Sequence, residues 1–536
     1  MSPTTHLETE GLMVKKFNTT GLCMPEKHYM VDISKKVNEI MHLIDDECYF
    51  TINRGRQYGK TTTLHAIASV IPSQYTCVNI SFEGTGDGVF ANEEAFCKAF
   101  LTQIAEALEN TDPTFAPLWK DESITNFAQL NRRLNALCKD RKIVLLIDEV
   151  DATSNNRVFL CFLGVLRNKF LERHRDNINT FHSVILAGVY DVKTIKLKLA
   201  QEGVAEQPGE FERSYNSPWN IATEFNVDMS FSPQEIVTML TAYENDHHTG
   251  MDILEISQEI YDYTSGYPVL VSKICKHIAE SGNQNWSVRG VKTAVQIITS
   301  KKNVLFDDIF KNLRNNKNIH DFLYDLLIVG EKRRRSIYDP NVDWCNMFGY
   351  TGLDAMGHTV ISNKIFEIVL LDYFSSKGTE TSQIENAVYG GIYHEIVKDG
   401  KFDMALCLVK FAEHYRDLYS PYDITFLERH GRMIFLSFLK PLVNGHGFFH
   451  IESQFTDVRR MDVVVDYGRE QFIIELKLWK GERAQEQAYA QLLSYMDSKR
   501  LDKGYLLTFD FRKQENREPK SEWVNVGKKE IFDVIV

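Results

Sequence analysis

Residues 48–63 read CYFTINRGRQYGKTTT, a strand-like run followed by a basic, glycine-containing turn and the start of a helical pattern. The run has the β-branched and aromatic character of a strand, and the helical pattern begins at Lys60. A turn of this kind directs backbone N–H groups and a helix N-terminus at a bound phosphate. The sequence therefore predicts that Lys60 contacts the outer phosphates of a nucleotide and that the Thr61 hydroxyl binds Mg²⁺.

This turn departs from the full phosphate-loop pattern at one position. The pattern GxxxxGK[ST] requires glycine at position 54, where the chain has Arg54, and Gly55 follows one residue later. A basic turn that caps a helix is the alternative interpretation. The candidate nucleotide-binding residues of the turn are Arg56, Gln57, Tyr58, Gly59, Lys60, Thr61 and Thr62.

A second motif strengthens the nucleotide hypothesis. Residues 143–149 read IVLLIDE, an apolar strand that ends in two carboxylates. In parallel sheets the carboxyl ends of the strands face the ligand crevice, so two acids at this position indicate a site. We expect Asp148 to hold Mg²⁺ through water at the nucleotide and Glu149 to orient the attacking water. A helix N-cap after the strand is the alternative, but the two motifs together predict a nucleoside triphosphatase.

Length and composition limit the class of protein. A chain of 536 residues is expected to form about three domains. Its content of 43% hydrophobic and 25% charged residues excludes a disordered or collagen-like chain. The net charge of −12 argues against nucleic-acid binding over the whole surface, so phosphate contacts require a local basic patch.

Cysteine usage and hydropathy indicate the compartment. The nine cysteines are scattered without a CxxC pair, which argues against a disulfide framework or a zinc site and fits a reducing cytoplasm. The sequence shows neither an apolar run long enough to span a membrane nor the apolar core of a signal peptide. We therefore predict a cytoplasmic protein that has no membrane partner.

Strand and helix patterns alternate over the first half of the chain. Strands are predicted at 48–53, 76–82, 143–148, 183–189 and 227–231, with helices at 60–70, 92–109 and 155–170. Such alternation predicts an α/β fold with a parallel sheet covered by helices on both faces. From residue 233 to about residue 282 the pattern is wholly helical.

Residues 28–190 and the region beyond resemble the prokaryotic AAA-like ATPases of the AAA+/STAND group, whose phosphate loop tolerates the missing first glycine. Three further stretches are similar to landmarks of that family: SPWNIA at 217–222, TSGYP at 264–268 and VISN at 360–363. The resemblance implies ATP and Mg²⁺ as ligands, a helical lid and a winged-helix domain. It also implies that Pro268 lies near the base and that Tyr29 and Val31 receive adenine, with packing in the core as the alternative for these last two.

A second group of candidate catalytic residues lies near the C-terminus. Strands are predicted at 448–452, 461–466 and 471–478, a helix at 482–495 and a last strand at 504–509. Glu475 and Lys477 share one face of their strand, and a hairpin turn brings Asp462 from the preceding strand. Two carboxylates and the Leu476 carbonyl form an oxygen site suited to Mg²⁺ or Mn²⁺, in which Lys477 orients the attacking hydroxide. An edge hairpin with a surface Glu–Lys pair is the alternative.

Residues 384–509 resemble the PD-(D/E)XK nuclease superfamily, specifically the domain that is fused behind AAA-like ATPases. The residues that match its motifs are Glu428, Asp462, Glu475, Lys477 and Gln491. The resemblance implies catalytic roles for all of them, with metal binding by Asp462, Glu475 and the Leu476 carbonyl. Glu452 is a further acid that either joins the site or faces solvent.

The two resemblances together predict an α/β multidomain protein. Its predicted parts are an N-terminal segment (1–27), a P-loop ATPase core (28–232), a helical lid (233–302), a winged-helix-like domain (303–374), a linker (375–381) and a nuclease-like domain (382–536). The run Lys332-Arg333-Arg334-Arg335 in the winged-helix-like part either binds phosphates or forms a solvated charged surface.

The leading hypothesis is an ATP-controlled, metal-dependent nuclease, and the resemblance suggests bacterial defence or mobile-element biology as its setting. Nucleic acid is the expected partner, with DNA as the expected substrate; a homo-oligomer or a protein trigger is also considered. The alternative is a STAND-like regulatory scaffold whose nuclease-like domain binds nucleic acid or protein without cleaving. A third hypothesis, an ATPase that serves an unrelated process, requires both metal sites to be empty.

Overall fold

The computed structural model describes residues 15–150, 157–173, 178–188, 221–223, 225, 227–329, 333–334, 339–377, 392–418, 428–443, 447–452, 462–479, 481–510 and 520–536. The chain divides into two compact units. The first comprises Met1–Tyr261, Gly266–Lys276 and Met347–Gly349. The second comprises Asp262–Ser265, His277–Asn346 and Tyr350–Val536. Residues of the predicted lid, 233–302, are therefore found in both units.

A parallel sheet forms the centre of the first unit. Its described strands are β1 (Tyr49–Asn53), β2 (Tyr75–Ser81), β3 (Lys142–Asp148) and β4 (Ser183–Gly188). The strand order is β1-β4-β3-β2, and all neighbours are parallel. This arrangement confirms the predicted α/β class and places the ends of β1 and β3 at the same edge of the sheet.

Helices flank both faces of this sheet. They are α1 (Ser34–Asp45), α2 (Lys60–Val70), α3 (Glu93–Leu108), α4 (Phe127–Leu137) and α5 (Arg157–Glu172). In β3, Val144 and Leu146 pack in one core cluster with residues of α1 and α2, whereas Leu145 and Ile147 pack in another with residues of α3, α4 and α5. Successive side chains of a strand point to opposite faces, so a strand that is apolar at every position requires cover on both.

The prediction of a strand at 227–231 is wrong. Those residues join no sheet. Instead, Thr223 forms a single parallel bridge with Phe50 of β1, and its N–H donates to the Tyr49 carbonyl at 2.8 Å. Val227 and Met229 are nevertheless buried, which produced the strand-like alternation. The chain there is partly buried without strand pairing.

The chain continues with helices and a small antiparallel sheet. The helices are α6 (Pro233–His247), α7 (Ile253–Thr264), α8 (Pro268–Glu280), α9 (Val288–Ser300), α10 (Val304–Asn315), α11 (Lys317–Tyr324), α12 (Pro340–Met347) and α13 (Lys364–Lys377), with a π-helical turn at Asp325–Val329. The strands are β5 (Arg333–Arg334), β6 (Thr351–Leu353) and β7 (His358–Ile361), in the order β5-β7-β6. The buried Asn363 of the VISN stretch caps α13 by accepting from the Phe366 N–H at 2.9 Å.

Helix α13 extends into the predicted linker. The helix ends at Lys377, so residues 375–377 are helical, and Ser375 is fully buried. The Lys440 ammonium donates to the carbonyl of Asp372 on this helix at 2.8 Å. Residues 378–381 of the predicted linker lie outside the described residues. The small polar residues at 375–377 are therefore part of a packed helix, because tertiary contacts outweigh their turn-like composition.

A six-stranded mixed sheet forms the C-terminal part. Its strands are β10 (Gly447–Glu452), β11 (Asp462–Tyr467), β12 (Glu470–Leu478), β13 (Lys503–Phe509), β14 (Lys520–Val526) and β15 (Lys529–Ile535), in the order β10-β11-β12-β13-β15-β14. The hairpin strands β8 (Val397–Lys398) and β9 (Lys401–Phe402) precede it, and its helices are α14 (Met404–Leu418), α15 (Glu428–Val443) and α16 (Glu482–Ser498). Among the described helices of the chain, none combines the length and the apolar character needed to cross a membrane.

The prediction that 504–509 is the last strand is wrong. Strand β15 lies between β13 and β14 and runs parallel to β13. Its sequence KEIFDVI contains a buried acid, Asp533, which interrupts the apolar run from which a buried strand is predicted.

Candidate functional site

The phosphate-binding turn lies between β1 and α2, as predicted. Gly59 is the N-cap of α2 and has a φ of +77°, and Gln57 has a φ of +59°. Glycine adopts this left-handed backbone without steric cost, so Gly59 allows the sharp turn into the helix. The turn brings Lys60 back towards the loop, where its ammonium donates to the carbonyl oxygens of Arg54 at 3.0 Å and Gly55 at 3.1 Å.

Thr61 meets the two acids that end β3. The Thr61 hydroxyl donates to Asp148 Oδ2 at 2.6 Å, and Asp148 Oδ1 accepts from the Glu149 N–H at 2.9 Å. Asp148 is buried, and Glu149 has a φ of +51°. A hydroxyl oxygen in contact with a carboxylate oxygen supplies the hard donors that Mg²⁺ prefers, so these residues fit the cation that an ATPase requires.

The turn is also held by Phe348, which no sequence motif marks, and by Tyr267 of the TSGYP stretch. A Cβ atom at Gly55 would lie 2.5 Å from the carbonyl oxygen of Phe348. The Tyr267 hydroxyl donates to the Arg56 carbonyl at 2.6 Å, and its ring packs on that of Tyr58 with the centroids 4.4 Å apart. Glycine is therefore required at position 55, because the Phe348 carbonyl leaves no room for a Cβ atom.

We expect Gly55→Ala to weaken ATP binding at least about tenfold, which corresponds to the 1–3 kcal/mol typical of overpacking. The added methyl group meets a backbone carbonyl, which cannot rotate away as the end of a side chain can, so the turn itself must shift. Titration with a fluorescent ATP analogue measures the affinity. Gly164→Ala is the matched control, because a Cβ atom at this glycine of α5 would meet nothing within 4 Å. Equal affinities for Gly55→Ala and wild type would show that the Phe348 contact does not shape the turn.

A cavity of about 160 Å³ adjoins the turn. The predicted nucleotide-binding residues that line it are Tyr29, Val31, Gln57, Tyr58, Gly59, Thr62 and Pro268. The other predicted residues of this set, Arg56, Lys60, Thr61 and Asp148, lie in the turn, in the first turn of α2 and at the end of β3. The fold thus brings residues predicted for the base side and the phosphate side to one cavity.

Tyr29 borders this cavity, but its ring belongs to an aromatic cluster. Its centroid lies 5.1 Å from those of Phe17 and Tyr243, and its hydroxyl donates to Asp246 at 2.9 Å. Burial and the hydrogen bond to Asp246 raise the pKa of Tyr29, so the phenol stays protonated at neutral pH. These contacts agree with the packing role that was the alternative for this residue, and its contact with adenine stays a prediction.

The segment that precedes α1 also contributes to the cavity. Asn18, Thr20 and Cys23 line it, and the Cys23 N–H donates to the Thr62 hydroxyl at 3.3 Å. The stretch NTTG at 18–21 contains only turn-forming polar residues, which are common in loops. Its place beside the phosphate-binding turn is therefore visible only in the fold.

The second candidate site forms on one face of the C-terminal sheet. Glu475 on β12 is fully buried and forms an ion pair with Lys477. The Lys477 ammonium also donates to the side-chain oxygen of Gln491 on α16 at 3.3 Å. The structure thus brings these predicted residues together. Because β12 has neighbours on both sides and Glu475 is buried, the alternative of an exposed edge hairpin is excluded.

Asp462 lies beside Glu475 in the backbone register. Strands β11 and β12 pair Val463 with Ile474, so the next position along this antiparallel ladder places Asp462 across from Glu475. On its other side Asp462 pairs with Glu452 of β10. The side chains of Asp462 and Glu452 lie outside the described residues, so their part in metal binding stays a prediction.

Glu428 is the first residue of α15, and its side chain lies outside the described residues. In the same helical turn, a Cβ atom at Gly431 would lie 2.6 Å from the ring of Phe509. Phe509 pairs with Leu478 of β12, one residue after Lys477. The start of α15 therefore lies close to β13, the strand beside the one that carries Lys477, and a catalytic role for Glu428 stays a prediction.

The described part of this site supplies one carboxylate for a metal ion. Within the described residues, no three His, Cys, Asp or Glu side chains are grouped to hold a metal. Glu475 provides buried carboxylate oxygens, which are hard donors that fit Mg²⁺ or Mn²⁺. The Leu476 side chain is buried on the opposite face of β12, and metal binding by its carbonyl stays a prediction.

Fold and site define two classes of domain in one chain. The parallel sheet with Lys60, Thr61 and Asp148 is a P-loop ATPase-like fold, and the C-terminal sheet with Glu475 and Lys477 is a nuclease-like α/β domain. The family model of the AAA-like domain matches residues 27–296, and that of the PD-(D/E)XK nuclease superfamily matches residues 448–519. The chain therefore belongs to the AAA-like family and carries a C-terminal PD-(D/E)XK nuclease-superfamily domain, which confirms both resemblances.

Three solved structures illustrate the similarity. The Walker-type ATPase PABY2304 of Pyrococcus abyssi is 13% identical, with 66% of this chain and 99% of that chain covered and a TM-score of 0.45. The Aeropyrum pernix ORC2 protein in its ADPNP–ADP complexes is 11% identical, with 67% and 98% covered and a TM-score of 0.33. The Thermotoga maritima RuvB Holliday junction branch migration motor is 11% identical, with 66% and 96% covered and a TM-score of 0.32. No curated protein matches the chain.

Proposed function

We propose that this protein is an ATP-controlled, metal-dependent nuclease that cleaves DNA. The observation that supports this most directly is the buried group of Glu475, Lys477 and Gln491 in a chain that also carries the phosphate-binding turn. A buried ion pair is a poor source of stability, because removing both charges from water offsets their attraction. Its presence in the middle of a sheet therefore indicates chemistry.

In the ATPase part, each polar side chain has a definite task. Lys60 would bind the outer phosphates, and Thr61 and Asp148 would hold Mg²⁺, which when bound would neutralise charge on the transferred phosphoryl group. Glu149 orients the attacking water. The cavity lined by Val31 and Pro268 receives the base.

In the nuclease-like part, the carboxylates of Asp462 and Glu475 and the Leu476 carbonyl would hold Mg²⁺ or Mn²⁺, which when bound would activate water for attack on the phosphodiester. Lys477 orients that water, and Gln491 holds the Lys477 ammonium at the site. Glu428 adds a further carboxylate from the start of α15. The proposed substrate is DNA; the phosphodiester on which this set of residues would act is shared with RNA, so RNA is a parallel substrate in the assay below.

Glu149→Gln is expected to bind ATP with wild-type affinity and to hydrolyse it at least about 100-fold more slowly, as for the loss of a general base. The amide cannot take up a proton from water, whereas the Thr61–Asp148 contact is unchanged by the substitution. ATP titration measures the affinity, and phosphate release measures the turnover. Asp140→Asn, which changes an exposed acid before β3, is the control. Equal turnover by wild type and Glu149→Gln would remove Glu149 from this role.

The same proposal covers the segment 303–374, which we assign as a winged-helix-like domain. Helices α10, α11 and α12 precede the β6–β7 hairpin, an element order that fits such a domain. Strand β5 (Arg333–Arg334) pairs with β7, and phosphate binding by the basic run 332–335 belongs to the proposal. Lys332 and Arg335, and the side chains of Arg333 and Arg334, lie outside the described residues. Location in the cytoplasm, a role in bacterial defence or mobile-element biology, and a homo-oligomer or protein trigger belong to the same proposal.

A second candidate function is a STAND-like regulatory scaffold whose nuclease-like domain binds nucleic acid or protein without cleaving. The ion pair between Lys477 and Glu475 is also compatible with this candidate, because the ammonium already occupies the carboxylate. A cation would have to compete with the ammonium for the carboxylate. In a scaffold the ion pair between Glu475 and Lys477 would stay intact, because no metal ion would displace the ammonium.

Degradation of plasmid DNA by the purified protein separates the two candidates. The assay contains Mg²⁺ or Mn²⁺, with and without ATP, and single-stranded DNA and RNA as parallel substrates. We expect cleavage of DNA that is lost on chelation of the metal and that changes with ATP. Binding of DNA without cleavage under every condition would support the scaffold.

A further inference from the structure

Strand β15 carries a buried acid that holds one of the helices of the nuclease-like domain. Asp533 is 7% exposed, and its Oδ2 accepts hydrogen bonds from Gln485 Nε2 at 2.9 Å and from the Tyr489 hydroxyl at 2.5 Å. Thr508 on β13 donates to the Gln485 side-chain oxygen at 3.5 Å. Gln485 and Tyr489 are four residues apart and lie on the same face of α16. Asp533 therefore anchors the first half of that helix to the sheet.

Asp533 lies in the same register row as Glu475. Strands β12 and β13 pair Glu475 with Leu506, and strands β13 and β15 pair Leu506 with Asp533. Residues paired in this way project to one face of the sheet, so both acids face α16 and lie roughly 10 Å apart, two strand spacings. Leu506 between them packs against Ala488 and Leu492 of the helix.

The second half of α16 reaches the candidate metal site. Gln491 follows Tyr489 by two residues and accepts from the Lys477 ammonium at 3.3 Å. Lys477 forms the ion pair with Glu475. An α-helix rises only about 1.5 Å per residue and is stiff over a few turns, so the anchor also sets where Gln491 lies. One chain of contacts thus runs from Asp533 through α16 to Glu475.

Holding a helix in place with a buried acid such as Asp533 costs free energy. Burial raises the pKa of Asp533, which means that the charged form is destabilised inside the protein. Within the described residues, Asp533 Oδ1 is buried and makes no hydrogen bond. An apolar side chain would pack α16 without this cost. A carboxylate oxygen that accepts two hydrogen bonds adds a defined direction, which an apolar contact does not supply.

We propose that Asp533 is a positioning residue for the nuclease site. By holding Gln485 and Tyr489 it sets the position of α16, and Gln491 then orients Lys477 beside Glu475. This inference rests on the proposed nuclease function. Asp533 does not itself touch the reacting atoms, so its loss should lower the rate of cleavage and leave the affinity for DNA unchanged.

Two tyrosines of α16 provide a matched pair of variants. Tyr489→Phe removes the hydroxyl that donates to Asp533, and we expect kcat for cleavage to fall about tenfold while KM for DNA and ATP hydrolysis stay unchanged. Tyr495→Phe removes a buried hydroxyl that makes no hydrogen bond within the described residues, so it should keep the wild-type kcat. A wild-type kcat for Tyr489→Phe would overturn the inference.

A double-mutant cycle tests whether the effect passes through Gln491. In a Gln491→Ala background, Tyr489→Phe should have no further effect on kcat, because the group that it positions is already absent. Asp533→Asn keeps an acceptor oxygen and should retain most of the activity that Asp533→Ala loses. Independent effects of Tyr489→Phe and Gln491→Ala would mean that Asp533 only stabilises the fold, which contradicts the proposal.

Amide hydrogen exchange gives a second measurement that does not depend on cleavage. Tyr489→Phe should speed exchange in the part of α16 around Gln491, and Tyr495→Phe should not. If the wild-type protein does not cut DNA, the proposed function fails, while faster exchange in Tyr489→Phe still establishes the anchor. Unchanged exchange in Tyr489→Phe overturns the anchor whatever the outcome of the cleavage assay.

Discussion

Lys60→Ala is expected to weaken ATP binding at least about 100-fold. The Lys60 ammonium lies at the phosphate-binding turn, where it donates to the carbonyls of Arg54 and Gly55. Alanine removes the cation that meets the outer phosphates as well as two hydrogen bonds that shape the turn. A hydrogen bond to a charged group contributes about 1.5–3 kcal/mol, so the loss of two such bonds with the phosphates corresponds to a factor of about 100 or more.

Titration with a fluorescent ATP analogue measures this effect. Lys35→Ala is the control, because Lys35 is an exposed lysine on α1 of the same unit. The control should bind ATP as the wild type does. Binding of ATP by Lys60→Ala with wild-type affinity would contradict the assignment of the turn.

The same variant tests whether ATP controls cleavage. A nuclease that is always active endangers the DNA of its own cell, so we expect its fusion to an ATPase to gate it. With matched metal and saturating ATP, Lys60→Ala should cleave plasmid DNA at a rate that differs from wild type. Identical rates would mean that the two sites are uncoupled and that the ATPase serves another purpose.

Glu475→Ala is expected to lower metal-dependent DNA cleavage at least about 1000-fold, which corresponds to about 4 kcal/mol in the activation barrier. The substitution removes the buried carboxylate that faces α16 and leaves the Lys477 charge without its carboxylate partner. Lys477→Ala should have an effect of similar size, because it removes the group that is proposed to orient the attacking water. In both variants ATP hydrolysis should stay largely intact, since neither residue belongs to the unit that contains the phosphate-binding turn.

Plasmid degradation and phosphate release, measured on the same preparations, check this prediction. Glu470→Gln is the matched control, because Glu470 is an exposed acid on the same strand. It should cleave as the wild type does. If Glu475→Ala or Lys477→Ala still cut DNA at the wild-type rate, the buried pair would be structural and the scaffold function would be favoured.

Local sequence patterns correctly predicted the elements that are specified by a few neighbouring residues. The turn at Gly59, Lys60 and Thr61 follows from its own residue types, and the apolar strand that ends in Asp148 follows from its composition. Likewise, Glu475 and Lys477 share a face because side chains alternate along a strand. The same rule gave a wrong strand prediction at 227–231, where residues alternate in burial without pairing with another strand.

The partners of these residues depend on the tertiary structure. Phe348 lies against Gly55, the Cys23 N–H bonds to Thr62, and Asp533 lies in the row of Glu475. Each of these arrangements joins segments that are far apart in the chain. A periodicity of 2 or 3.6 residues indicates which face of an element is buried but not which residues cover it. The segment that covers each apolar face is fixed only when all such faces are buried together in a close-packed core. Strand register and helix position then leave few alternative pairings. For this reason short sequence motifs identify the candidate catalytic residues of both sites. The residues that position those side chains can be identified only from the tertiary structure.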